Sequence, residues 1–196
     1  MNYGIYKDVR DAAWKCLIDC NIRSLPINLK KITEHFNIKV IKNSSINLLN
    51  PSENGASILY AKECFIVIDD ENTFRRCRFT IAHELGHILL GHPTRDGYHA
   101  RTIDKDRPQI ESEADMFASR LLAPACILWG LNLHTAEEIA KVCNISIAAA
   151  KIRAERMDVL YKRGKFLTSA LEHKVYEQFK GFIDNYKNDM GGLYNV

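Results

Sequence analysis

His83-Glu84-Leu85-Gly86-His87 sets two imidazoles four residues apart, with a carboxylate directly after the first. On a helix, positions i and i+4 share one face, so both rings can reach a single ion. Neutral imidazole is a good zinc ligand, and catalytic zinc sites use three protein ligands and keep one position for water. Glu84 then stands where it can act on that water as a general base. Ile81, Ala82, Leu85, Ile88 and Leu89 cluster opposite the His83/His87 edge, so the helix is apolar on most sides. Such a helix is largely buried, and its histidines need partners there. The cofactor these residues imply is one Zn2+ per chain.

A third ligand has to come from elsewhere. The metzincin arrangement needs Gly at 90 and His at 93, where Leu90 and Pro93 stand. His92 lies five residues after His87, past Gly91, and reads as a loop or capping histidine. That leaves a carboxylate, and the segment from Glu111 to Ala118 offers Glu111 and Glu113. Ala114, Phe117, Ala118, Leu121 and Leu122 form an apolar stripe at helical spacing. At about 100° per residue Glu111 falls within that stripe, whereas Glu113 points roughly 120° from its centre. An inward carboxylate needs a cation, so Glu111 is the expected third ligand and Glu113 the alternative. Asp115 shares the face of Glu111 and is placed to accept an N–H from a ligating histidine. For a donor to a reaction oxyanion the sequence offers Tyr98 and His99, with Tyr60 behind them.

The elements that would carry these residues follow from periodicity. Residues 5–20 and Leu29 to Phe36 read as helices, and residues 37–41 as a strand. Residues 43–55 read as a loop. Ala56–Tyr60 and Cys64–Ile68 form a hairpin that, at a sheet edge, could add an extended peptide as another strand. A long helix spans Phe74 to Leu90, with Asn72 or Thr73 as N-cap and Gly91 as its stop. Residues 92–107 read as a loop, and a further helix runs from about Pro108 to Ala123. The rest is helical from Thr135 to about Tyr186, with turns near Asn144 and Gly164 and a frayed tail from Asn188.

Composition bounds the class. The chain has 196 residues, 46% hydrophobic and 26% charged, with a net charge of +3. This excludes disordered, collagen-like and coiled-coil chains, and the charge is too small to mark a nucleic-acid binder. The start, MNYGIYKDVRDAAWK, has no apolar core of a secretory signal. The longest apolar run, Leu121 to Leu131, is broken by Pro124 and Gly130 and falls short of a membrane span. Six cysteines without a C-x-x-C spacing read as reduced. A cytoplasmic protein with no membrane partner is expected.

Two motifs together resemble a known family. Phe79 through His87, preceded by Arg75-Arg76-Cys77-Arg78, is similar to the RxRFTxAHELGH signature of the ImmA/IrrE metallopeptidases. Glu111 through Pro124 is similar to its second signature, E-x-x-A-[DN]-x-F-A-x-x-L-L-x-P, with Ala123 where Met is commoner. The resemblance extends over most of residues 8–160. It implies zinc held by His83, His87 and Glu111, with Glu84 as the catalytic base. It implies an α+β fold: a mostly helical, thermolysin-like zincin core with a small, about three-stranded antiparallel or mixed sheet, plus a C-terminal helical extension. It also implies a substrate, a helix-turn-helix transcriptional repressor whose cleavage derepresses a phage, mobile element or stress genes.

The C-terminal third carries a competing signal. Residues 136–153 look like a helix-turn-helix, and residues 130–180 hold nine Lys and Arg against six Asp and Glu. The usual turn glycine is missing, and Ala148, Ala149 and Ala150 stand where a recognition helix needs reaching side chains. Direct nucleic-acid binding is therefore not expected. The expected organisation is a metallopeptidase domain over 1–130, a helical extension over 131–187 and a tail over 188–196. Two other functions share these residues. One is a non-catalytic binding module with a structural metal site, sequestering a repressor or acting like an antitoxin. The other is a DNA-binding regulator using residues 135–156.

Overall fold

The computed structural model describes residues 8–61, 63–92, 98–100 and 109–193, apart from the side chains of 98–100 and 190–193. In chain order the elements are α1 (Val9–Asp19), α2 (Leu29–His35), β1 (Ile38–Lys42), α3 (Asn43–Ile46), β2 (Gly55–Tyr60), β3 (Glu63–Ile68) and α4 (Phe74–Leu90). There follow β4 (Tyr98–Ala100), α5 (Gln109–Leu122), α6 (Ala125–Gly130), α7 (Ala136–Cys143), α8 (Ile147–Arg163) and α9 (Ala170–Leu193). The class is α+β, mostly helical with one small mixed sheet. The chain divides into two compact units, Met1–Ala13 with Leu29–Ser119, and Trp14–Asn28 with Arg120–Val196. No helix among the described residues is long and apolar enough to cross a membrane.

The first unit holds the sheet, in the order β1-β3-β2-β4. Strand β1 runs parallel to β3, from Ile38 opposite Cys64 to Lys42 opposite Ile68. Strand β2 is antiparallel to β3, Gly55 facing Ile68 and Tyr60 facing Glu63, and Ala61 at the turn takes a φ of 49°. The expected hairpin is therefore present, but it is not a sheet edge. Strand β4 covers β2 along Ala56, Ser57 and Ile58, leaving β1 and β4 outermost. Both β4 and the four-residue α3 lie in segments that read as loops, because three or four residues are too few to show a period.

Helix α4 follows its sequence signals at both ends. The Thr73 hydroxyl accepts the Arg76 N–H at 3.4 Å, satisfying one of the donors a helix start leaves open. At the other end Gly91 sits at φ 71°, ψ 34°, a left-handed conformation that glycine adopts without steric cost. The Gly91 N–H reaches the Ile88 carbonyl at 3.3 Å and the His92 N–H reaches the His87 carbonyl at 3.1 Å, a Schellman closure. Between these ends Arg78, Thr80 and the run from Ala82 to His87 are buried. The helix packs on β2 and β3.

The second unit is helical. Its core includes Trp14, Leu17, Phe179 and Ile183, and the Gln178 amide donates to the carbonyls of Leu17 and Ile22 at 2.9 and 2.6 Å. Thr135 and Glu138 form a reciprocal capping box at the start of α7. The turn into α8 places Asn144 at φ 52°, and Ser146 then caps α8 by accepting the Ala149 N–H. The two helices are thus joined with asparagine in the left-handed position, so the missing glycine does not argue against the turn. Helix α9 continues to Leu193, through residues expected to fray. Buried Val175, Phe179 and Ile183 anchor it, and extending an established helix costs far less than nucleating one.

Candidate metal centre

Helices α4 and α5 of the first unit bring three side chains together. His83 and His87 are 0% and 1% exposed, and Glu111 is 8% exposed. His83 Nε2 and His87 Nε2 are 3.0 Å apart. The Glu111 carboxylate closes the triangle, Oε2 lying 3.3 Å from His83 Nε2 and Oε1 lying 3.4 Å from His87 Nε2.

Gly86 makes this approach possible. A Cβ at that position would meet Ala114 Cα at 3.1 Å, Phe117 Cβ at 3.2 Å and the Ala114 carbonyl at 3.3 Å. The two helices touch backbone to backbone there. Glu111, one turn before Ala114, is carried within reach of both imidazoles. In the sequence, position 86 is only a spacer between the two histidines, and single-chain periodicity holds no signal of this role.

The donor set fits a metal ion. His83 Nδ1 lies 2.8 Å from Asp115 Oδ1, and an ionised carboxylate can only accept, so Nδ1 carries the proton. In the neutral ring Nε2 is then a bare lone pair, facing an anionic oxygen of Glu111. Lone pairs and carboxylate oxygens gather this closely only around a cation, either a proton or a metal. Four-coordinate ions with bonds of about 2.0–2.2 Å have ligand atoms roughly 3.3 Å apart, close to the 3.0, 3.3 and 3.4 Å found here. Among the described residues, His83, His87 and Glu111 form a buried group that could hold a metal ion.

The other expected residues are placed as follows. Glu84 is fully buried on α4, its Oε1 lying over Gly55 at the start of β2. Glu113, the alternative ligand, faces away from the triangle, with Oε2 3.1 Å from His92 Nε2 and Oε1 accepting from the Gln109 amide at 2.7 Å. His92 itself lies 3.0 Å from His87, Nδ1 to Nδ1. Burial lowers the His92 pKa against the pull of Glu113, favouring a neutral ring. Tyr60 is 74% exposed at the end of β2. The side chains of Tyr98 and His99 lie outside the described residues. Beside His87 and His92 a cavity of about 190 Å³ is lined by Ser57, Ile58 and Leu59 of β2.

The family model Peptidase_M78, the IrrE N-terminal-like domain, matches residues 33–155. The chain belongs to this family. No curated protein matches the chain. The match spans both helices of the His-His-Glu group, so a Peptidase_M78 chain here carries a possible metal site at the position its two sequence motifs marked.

Proposed function

We propose that this chain is a cytoplasmic zinc endopeptidase that cleaves a helix-turn-helix transcriptional repressor at one site, derepressing a mobile element or stress genes. The observation that carries the catalytic part is the buried His83–His87–Glu111 triangle with Glu84 next to it in the helix. Zinc is favoured over harder cations because two of the three donors are imidazole nitrogens. A zinc ion held by His83, His87 and Glu111 as its three protein ligands would keep a further position for water and substrate. A bound zinc ion supplies Lewis-acid polarisation of the scissile carbonyl and lowers the pKa of water. Glu84 takes the proton from the attacking water and passes it to the leaving amine. Asp115 holds the His83 ring in the tautomer that keeps Nε2 unprotonated.

A polypeptide substrate is supported by the family and by the cavity beside His87, which offers room for a side chain. For the helix pair α7–α8, a protein contact is favoured over duplex DNA. Ile147 and Ile152, 42% and 70% exposed, put apolar groups on the outer face of α8 beside exposed Lys151 and Arg156, a mixed face that suits a protein surface. A purely structural metal site would need a fourth protein ligand.

The test is co-expression with helix-turn-helix repressors of the same genome, starting with any encoded beside this gene, wild type against Glu84→Gln, read by intact mass. Cleavage at one bond by the wild type, and none by a Glu84→Gln protein that retains zinc, is the expected result. Cleavage by both at equal rates removes Glu84 from the mechanism. An intact repressor in both overturns the assignment of that substrate.

A further inference from the structure

His92 stands five residues beyond His87, an offset that on a continuing helix would turn its ring away. The Schellman closure at Gly91 instead folds the chain back and stacks the two rings edge to face, with centroids 5.0 Å apart and planes at 74°. The nitrogens that meet are both Nδ1, at 3.0 Å. The far nitrogen of His92, Nε2, lies 3.1 Å from Glu113 Oε2, and Gln109 holds the other Glu113 oxygen at 2.7 Å. The His92 side chain is 6% exposed.

Proton placement along this chain has one consistent solution for neutral rings. The Glu113 carboxylate only accepts, so His92 donates to it through Nε2–H. His92 Nδ1 is then a lone pair and must receive the proton facing it, which belongs to His87 Nδ1. His87 Nε2 is left bare, pointing at His83 and Glu111. The opposite assignment sets a bare His92 nitrogen against the Glu113 carboxylate.

We propose that His92, held by Glu113, is a positioning residue that fixes the tautomer and ring orientation of His87 for the metal. It does at one remove for His87 what Asp115 does directly for His83. The inference rests on the reading of His83, His87 and Glu111 as a metal site.

Two measurements on the full chain test it. Long-range proton–nitrogen NMR of the metal-free protein reads the tautomer without any ion. In the wild type the His87 proton is expected on Nδ1, and in His92→Phe it redistributes toward Nε2. Zinc titration against a chelator reads the consequence: His92→Phe weakens binding about tenfold or more. His92→Asn, whose side-chain oxygen can stand near the lost Nδ1, restores it to within about threefold. Glu113→Ala keeps the imidazole but removes its acceptor and also weakens binding, which keeps the test open if His92→Phe fails to fold. A His87 Nδ1 without a proton in the wild type, or wild-type zinc affinity in both His92→Phe and Glu113→Ala, overturns the inference and leaves the metal site standing. A wild type that binds no zinc overturns the metal reading itself, whatever the tautomer.

Discussion

Replacing Gly86 by alanine tests whether the closeness of α4 and α5 is what assembles the metal group. The new Cβ would lie 3.1–3.3 Å from backbone and Cβ atoms of Ala114 and Phe117, where ordinary contacts begin at 3.4 Å, so the helices must part by a few tenths of an ångström. Because two of those three atoms are backbone, rotamer changes cannot absorb the clash. Glu111 rides on the same helix one turn away and moves with it. Metal sites hold their ligand distances to within about 0.2 Å, so a shift of this size weakens zinc binding by about tenfold or more. The stability change is smaller. Overpacking costs about 1–3 kcal/mol and the helix preference for alanine returns about 1 kcal/mol, leaving a net loss of roughly 0–2 kcal/mol. Gly181, on α9, is the control, because a Cβ there would have no neighbour within 4 Å. Gly181→Ala should stabilise by about 0.5–1 kcal/mol and leave zinc affinity unchanged. Urea unfolding and chelator-competed zinc titration read the two quantities separately. Wild-type zinc affinity in a folded Gly86→Ala protein would refute the role given to this contact.

Asp115→Asn lets the side chain turn a donor toward His83 Nδ1 and so favour the wrong tautomer; zinc affinity should fall about 10–100-fold, as a titration of the purified variant would show. Glu138→Ala removes the carboxylate that accepts from the Thr135 and His134 backbones, at a cost of about 1 kcal/mol near neutral pH. The backbone N–H of Thr135 leads in lowering the Glu138 pKa, so its stabilisation is present above the unfolded-state value and lost as pH falls through the folded one. Wild-type and Glu138→Ala unfolding curves should therefore converge in acid. Burial, with Glu172 adding to it, pushes the Cys126 thiol up to about 12. In the folded protein at pH 8 it should resist alkylation while partly exposed Cys64 reacts, with peptide mass spectrometry reading both.

Much of the site was legible because its signals are local and periodic. Thr73 and Gly91 bracket an apolar helix, and the angular step along α5 separates an inward Glu111 from an outward Glu113. Residues whose roles depend on tertiary approach left no such trace. Gly86 matters through the backbone of a helix more than twenty residues away in sequence, and His92 through a left-handed turn that reverses its direction. Strand β4 is too short for alternation to show, yet it moves the hairpin from the edge of the sheet to its interior. Asn144 serves the α7–α8 turn because a short polar side chain tolerates the left-handed conformation, an allowance that searching for glycine alone overlooks.

The most direct test of the metal centre is anomalous diffraction at the zinc absorption edge from crystals of the zinc-loaded protein. The expected result is a single peak per chain within bonding distance of His83 Nε2, His87 Nε2 and a Glu111 oxygen, with a non-protein fourth ligand. No peak between those three side chains, or a peak closed by a fourth protein ligand, would contradict the catalytic reading.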